Sequence, residues 1–132
     1  MKILLDTNIF LEVILEQEHA PEARDLLCAS SQYSAIMSDF SLHSIGLLLF
    51  RAHKHQVFSQ LLEDIHRSGI DICSVHPEDL NMVIESAEKF GLDFDDAYQY
   101  TLAEKHNVVI VSFDSHFDAT ARGRKTPSQI KP

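Results

Sequence analysis

Met1-Lys2-Ile3-Leu4-Leu5-Asp6-Thr7-Asn8 is the stretch whose reading decides the fold. Its apolar run Ile3-Leu4-Leu5 stops at Asp6 and passes straight into Ile9 to Leu15, where Ile9, Phe10, Val13 and Ile14 share one helical face and Glu12 and Glu16 point outward. A carboxylate at the carboxyl end of a buried parallel strand lies where open α/β sheets place their ligands. The device recurs near the other end of the chain, where Val108-Val109-Ile110-Val111 breaks at Ser112-Phe113-Asp114. Between the two, the acidic knot Asp93-Phe94-Asp95-Asp96 stands at a predicted helix start.

Outward from these points the chain reads as strands separated by single helices or helix pairs. Pro21 suits the first position of a second helix carrying Ala23, Leu26 and Leu27, which fades at Ser30-Ser31. Tyr33 to Met37 reads as a strand, and Ser38 or Asp39 caps a third helix with Leu42, Ile45, Leu48 and Leu49 on its buried stripe. Gly46 inside that helix costs about 1 kcal/mol relative to Ala. His53 to His55 interrupts it, a fourth helix follows from Val57 to Gly69, and Ile70 to Val75 alternates like a strand. Pro77 opens a fifth helix that Gly91 closes, and Asp93 caps a sixth, Phe94 to His106. After the strand Val108 to Val111 come a helical turn around Ser115 to Phe117 and a weakly signalled edge strand near Arg124. Strands joined through helices are parallel neighbours, so the expected architecture is a three-layer α/β/α domain with its sheet covered on both faces.

Size and composition narrow the possibilities. With 132 residues, 45% of them hydrophobic, the chain supports one buried core but not two, so residues 1–132 are expected to form a single domain. A net charge of −9 gives no long-range attraction for a polyanion; a nucleic-acid substrate then requires bound cations or local basic patches to offset repulsion. Cys28 and Cys73 lie in no C-x-x-C motif and read as small buried hydrophobes of a reducing compartment. No secretory signal and no membrane span is legible, so a soluble, cytoplasmic protein is expected.

If the first and last clear strands are adjacent, Asp6 and Asp114 share one rim, and Asp96 reaches it if its helix points its amino end there. Carboxylates gathered in this way repel one another unless a cation sits between them. Magnesium and manganese favour oxygen ligands, and such a centre suits phosphodiester hydrolysis. Each acid also has a plainer reading: Asp6 as the cap of the first helix, Asp96 as the partner of Asp93 in a capping pair, Asp114 as the cap of the turn after its strand. Independent caps, however, have no reason to fall at the ends of the first and last clear strands.

In Leu4-Leu5-Asp6-Thr7-Asn8, Phe94-Asp95-Asp96-Ala97 with Ala103, and Val111-Ser112-Phe113-Asp114 with Phe117, the chain resembles the first, third and fourth acidic motifs of the PIN (PilT N-terminus) nuclease domain. The resemblance spans nearly the whole chain and includes Thr126-Pro127. It implies a parallel sheet of strand order 3-2-1-4-5 and a Mg2+- or Mn2+-dependent endoribonuclease site whose metal-binding catalytic acids are Asp6, Asp96 and Asp114. It further implies a homodimer and, for a small single-domain member, the toxin of a VapC-type toxin–antitoxin pair with a cognate antitoxin as partner. Thr7 and Asn8 match positions that help place the first acid and the substrate, and Ser112 occupies the place of a motif Thr; all three also suit ordinary helix-turn or strand-end roles.

One departure stands out. The family's second acid, a Glu on the third helix, aligns with Ser44. Helical residues advance about 100° each, so Asp39 lies roughly 140° and His43 roughly 100° from Ser44 around the axis, and neither replaces it well. Three carboxylates suffice for one cation, with the Ser44 hydroxyl as a weak or water-mediated contact. The readings are therefore a metal-dependent endoribonuclease hydrolysing RNA, or a catalytically impaired PIN fold kept as an RNA- or protein-binding module. A receiver-type or dehalogenase-type phosphotransfer domain fits worse, lacking an acidic pair after strand one and an Asp-x-Asp signature at Asp6. The scattered His residues, His116 among them, make a poor zinc set. Arg122, Arg124 and Lys125 form the compact basic cluster, read either as a phosphate contact or as a solvated tail, and Tyr98 and Tyr100 are expected to pack.

Overall fold

A computed structural model describes residues 1–130. The expected end of the domain at 132 thus lies two residues outside the described part. In chain order the elements are β1 (Lys2–Leu5), α1 (Thr7–Ile14), α2 (Ala20–Cys28), β2 (Ser34–Ser38), α3 (Asp39–Arg51), α4 (His55–Ser68), β3 (Asp71–Cys73), α5 (Leu80–Phe90), α6 (Phe94–His106) and β4 (Val109–Val111). Short 3-10 turns follow at Pro77–Asp79 before α5, and at Ser115–Ala119 and Pro127–Gln129 after β4.

All strand pairs are parallel, in the order β3-β2-β1-β4. Alternation along β1 explains the layers: Ile3 and Leu5 join a core with Ile9, Phe10, Leu26, Ile45 and Ile65 of α1 to α4. Leu4 faces the opposite way, into a core with Val83 of α5 and Ala97, Tyr100 and Leu102 of α6. Both faces of the central strand are therefore covered from Ile3 to Leu5, which is why that run is apolar without interruption. The two cores sit on either side of one sheet, as the sequence implies.

A fifth strand is the exception. Beyond β4 the chain makes one parallel bridge, Val111 to Lys125, in which Lys125 N donates to Ile110 O and Ser112 N donates to Lys125 O. Gly123 turns the backbone in at φ 64°, and Pro127, which has no N–H, already begins a 3-10 turn. Little chain remains between them to pair, so the expected order 3-2-1-4-5 reduces to four strands and a bridge.

Helix boundaries follow local chemistry. Ser38 Oγ accepts from Ser41 N to cap α3, and Asp93 Oδ1 accepts from Asp96 N to cap α6. α3 and α4 are separated by a backbone reversal in which His53 takes φ 56°, and α4 ends on Gly69 at φ 71°. Gly46 is explained by the same pair of helices: a Cβ there would lie 3.2 Å from the Phe58 ring, so α4 packs onto the bare backbone. The cysteines depart from expectation. Cys28 is exposed, lying about 200° around α2 from the buried Leu26, and Cys73 is half-buried at the end of the edge strand β3. Among the described residues no helix is long and apolar enough to cross a membrane.

Candidate metal centre

β1 and β4 are neighbours, with Asp6 N donating to Val111 O at 3.0 Å, so their carboxyl ends share one rim. α6 turns its amino end toward the same rim. A cleft of about 230 Å³ there is lined by Asp6, Thr7, Asn8, Ser44, Asp96 and Asp114, and the chain also brings Gln99 and the exposed Asp95 to it. Ser112 is fully buried and touches Asp6 directly. Asp6, Thr7, Asn8, Ser44, Asp96, Ser112 and Asp114 thus meet at one rim, where the donor atoms gathered tightly enough to share one ion are, among the described residues, those of Asp96, Asp114 and His116.

Asp6 and Asp114 are also the caps they could have been, whereas the Asp96 carboxylate makes no return bond to Asp93. Asp6 caps α1, Asp96 sits in the turn that Asp93 caps, and Asp114 Oδ1 accepts from His116 N at 2.8 Å. Capping fixes backbone direction, and so aims the carboxylates. Asp6 is held hardest: Oδ1 accepts from Thr7 N at 2.8 Å and Gln99 Nε2 at 2.9 Å, while Oδ2 accepts from Ser112 Oγ at 2.6 Å. Ser112 Oγ in turn accepts from Asn8 Nδ2 at 3.1 Å and Asp114 N at 2.9 Å, and Asn8 Oδ1 accepts from Phe113 N at 3.2 Å. One hydroxyl thereby links the ends of β1 and β4.

A second network braces the cleft from α3. Ser41 Oγ lies 2.7 Å from Thr7 Oγ1 and accepts from Gln99 Nε2 at 2.7 Å. Gln99 is 2% exposed, and its Oε1 has no hydrogen-bond partner. Neither Asp39 nor the exposed His43 replaces an acid at Ser44: Asp39 Oδ1 instead accepts from Tyr98 Oη at 2.8 Å.

Electrostatics show what the cleft lacks. Burial raises the Asp6 carboxyl above its usual range, hydrogen bonds from Ser112, Gln99 and Thr7 pull it back, and the charge of Asp114 pushes it up again. Asp96 is pushed up to about 6, chiefly by burial and then by Asp114, against the lowering contact of His116. His116 Nδ1 lies 3.1 Å from both Asp96 Oδ2 and Asp114 Oδ1, and these contacts raise its affinity for a proton. Among the described residues no Lys or Arg lines the cleft. A donor set of carboxylates and hydroxyls short of positive charge, with an orphaned amide oxygen beside it, fits a hard divalent cation such as Mg2+ or Mn2+.

Sequence reasoning missed Gln99, Ser41 and His116. Gln99 follows Asp96 by three positions and Ser41 follows its cap Ser38 by three, so helical spacing alone puts each near a residue already singled out. The basic cluster is neither a free tail nor a lining of the cleft: Arg124 pairs with Asp118 and donates to Ser112 O, and Arg122 donates to Asn107 Oδ1 and Val108 O. Tyr98 and Tyr100 pack, as expected.

The PIN domain family model matches residues 3–123. Among solved structures, a toxin–antitoxin complex from Klebsiella pneumoniae is similar at a TM-score of 0.74 and 18% identity, over 97% of this chain and 99% of that one. VapBC2 from Rickettsia felis, bound to a DNA fragment from its promoter, gives 0.73 and 20% over 95% and 97%. FitAcB from Neisseria gonorrhoeae gives 0.73 and 18% over 97% and 99%. No curated protein matches the sequence.

Proposed function

The chain belongs to the PIN domain family, and from that premise we propose that it is a divalent-cation-dependent endoribonuclease, the toxin of a toxin–antitoxin pair. The observation that carries the reading is the meeting of Asp6, Asp96 and Asp114 at one cleft that is lined by no Lys or Arg among the described residues. Asp6, Asp96 and Asp114 would hold Mg2+ or Mn2+, which when bound supplies charge neutralisation at a phosphoryl oxygen and an activated water. The protein's part is orientation. Ser112 and Gln99 fix the Asp6 carboxylate, and Ser112 also braces Asp114 through its backbone N–H. Thr7 and Asn8 form the cleft wall beside Asp6, where they would place the substrate backbone.

A cognate antitoxin is the inferred partner. Supporting it are the similar structures that contain toxin–antitoxin complexes, and an apolar groove of about 730 Å³ whose walls include Val13, Ile14, Leu27, Val57 and Leu61. The same reading treats residues 1–132 as one domain acting as a cytoplasmic homodimer. Labelled structured RNA incubated with Mg2+ and with Mn2+ tests the activity, with Asp6→Asn alongside. Cleavage by the parent and its loss in the variant is the expected result; equal cleavage by both removes the assignment.

Ser44 favours one second reading, a binding module with weakened catalysis, because it lines the cleft where the family's second acid would stand and brings no charge. Calorimetric titration with Mn2+ separates the two, since a cleft that binds no cation at millimolar concentration supports the module.

A further inference from the structure

We propose that His116, through Nδ1, is a direct ligand of the cation held by Asp96 and Asp114, so that the centre selects manganese over magnesium. The inference rests on the reading of the cleft as a cation site, and adds to it a nitrogen donor.

Geometry is the first support. His116 Nδ1 stands 3.1 Å from Asp96 Oδ2 and 3.1 Å from Asp114 Oδ1. With metal–ligand bonds of about 2.1–2.2 Å, neighbouring corners of an octahedron are about 3.0–3.1 Å apart. All three donor atoms lie within 4.8 Å of one another, so they can occupy one face or one meridian around a single ion. Imidazole and carboxylate lone pairs cannot face each other at this range unless positive charge lies between them. A proton can supply it, and so can a metal ion.

The placement is built into the chain. Asp114 Oδ1 accepts from His116 N, which folds the 3-10 turn back over the rim, and the next residue, Phe117, is fully buried and anchors that turn in the core. The ring itself remains exposed, with 68% of its side-chain surface accessible, so packing does not explain its direction. Two further observations bear on the ligand count. Ser44 leaves the cleft one carboxylate short, and Gln99, 2% exposed and lining the same cleft, keeps Oε1 without a partner. The protein thus offers an unfilled polar atom beside an incomplete donor set. Imidazole binds first-row transition ions better than it binds Mg2+, which prefers oxygen throughout, so a nitrogen in place of a carboxylate moves the balance from Mg2+ toward Mn2+, although Mn2+ is the weakest binder of that series.

The test uses the full chain, freed of metal and carrying no histidine tag, titrated calorimetrically with MnCl2 and with MgCl2, and the Mn2+ complex examined by pulsed electron paramagnetic resonance for 14N coupling. Expected are a 14N signal in the parent that disappears in His116→Ala, and a loss of Mn2+ affinity of at least about 10-fold with less than about threefold change for Mg2+. If His116→Ala binds Mn2+ as the parent does, or loses Mn2+ and Mg2+ alike, and the parent shows no 14N coupling, His116 is no ligand. Asp96→Asn separates that failure from a deeper one: its loss of binding while His116→Ala retains it leaves the acidic centre standing. A parent that binds neither ion at millimolar concentration overturns both readings.

Discussion

The acidic cleft and the apolar groove are built from the same helix in opposite ways. α1 begins at the rim, where Asp6, Thr7 and Asn8 gather polar contacts, and nearly two turns later its Val13 and Ile14 enter a groove more than three times as large. The cleft is small, crowded with hydrogen bonds and costly in like charge; the groove is broad and lined by aliphatic side chains from α1, α2 and α4. Size alone would choose the groove as the place of chemistry, yet it is in the cleft that burial and like charge raise Asp6 and Asp96, and groups held away from their ordinary protonation are where catalysis is sought. The groove suits a partner's apolar segment, whose association is driven by area removed from water.

If the two regions are separate devices, a charge change in one leaves the other intact. Asp6→Asn is expected to lower RNA cleavage by on the order of 10³-fold, since it removes charge from the best-held acid while keeping its size. Val57→Asp puts a charge into the groove at the first turn of α4, a position whose helix dipole tolerates an acid. Cleavage rate and Mn2+ affinity of this variant should match the parent. A folded Val57→Asp chain with a large loss of cleavage would show that groove and cleft are coupled.

The contrast also separates what the sequence could tell from what it could not. Asp6, Asp96 and Asp114 were legible because each interrupts or begins an element: a carboxylate directly after an apolar run, or beside a helix cap, is visible as a change of pattern. The parallel sheet followed from the connectivity and its strand order from the family resemblance, and only Lys125 survives of the expected edge strand because Gly123 and Pro127 bound it closely. Gln99 was only half legible: its spacing from Asp96 puts it on that side of the helix, but in sequence it is a polar residue between two tyrosines, and only the burial of α6 from Asp96 to Ala103 reveals that it lies inside. His116 was hidden differently, since the Asp114 carboxylate caps its backbone N–H, and such a contact brings residues i and i+2 together without the spacing that marks a helix or strand. Cys28 was misread because an apolar reputation was applied to a residue off the buried stripe of its helix.

Gln99 sharpens the cleft side of the comparison. Its Nε2 donates to both Asp6 Oδ1 and Ser41 Oγ, so Gln99→Leu keeps the volume but frees the Asp6 carboxylate from one of its donors. Groups that orient a ligand in this way typically change metal affinity by about 10–100-fold when removed. Calorimetry with Mn2+ should show a loss within that range, and an unchanged affinity would mean that Ser112 and Thr7 hold Asp6 unaided. Ser44→Glu works in the opposite sense. It adds a carboxylate to the cleft wall, and about a 10-fold gain in cation affinity is expected from the added charge. No gain would show that the α3 wall stands too far from the ion.

The smallest effect is a change of stability with pH, and it tests whether the cleft is under charge strain at all. Native Asp96 keeps its proton up to about pH 6, whereas the unfolded chain releases it near the ordinary 3.8. Between those values the native state binds more protons, so the contribution of Asp96 to stability is whole below the lower value, declines as pH rises through the window, and stays lost above it. Asp6 is shifted in the same direction. Asp96→Asn removes the titration without removing the shape. The cation-free variant should therefore gain Tm relative to the parent as pH goes from 4 to 7, by about 2–4 °C at the upper end. Saturating Mn2+ at pH 7 should close or reverse that gap, because the ion stabilises the parent by mass action and finds one ligand fewer in the variant. A Tm difference that is flat with pH would mean that Asp96 is as comfortable ionised as any surface acid, and the cleft would then have no need of a cation to balance it.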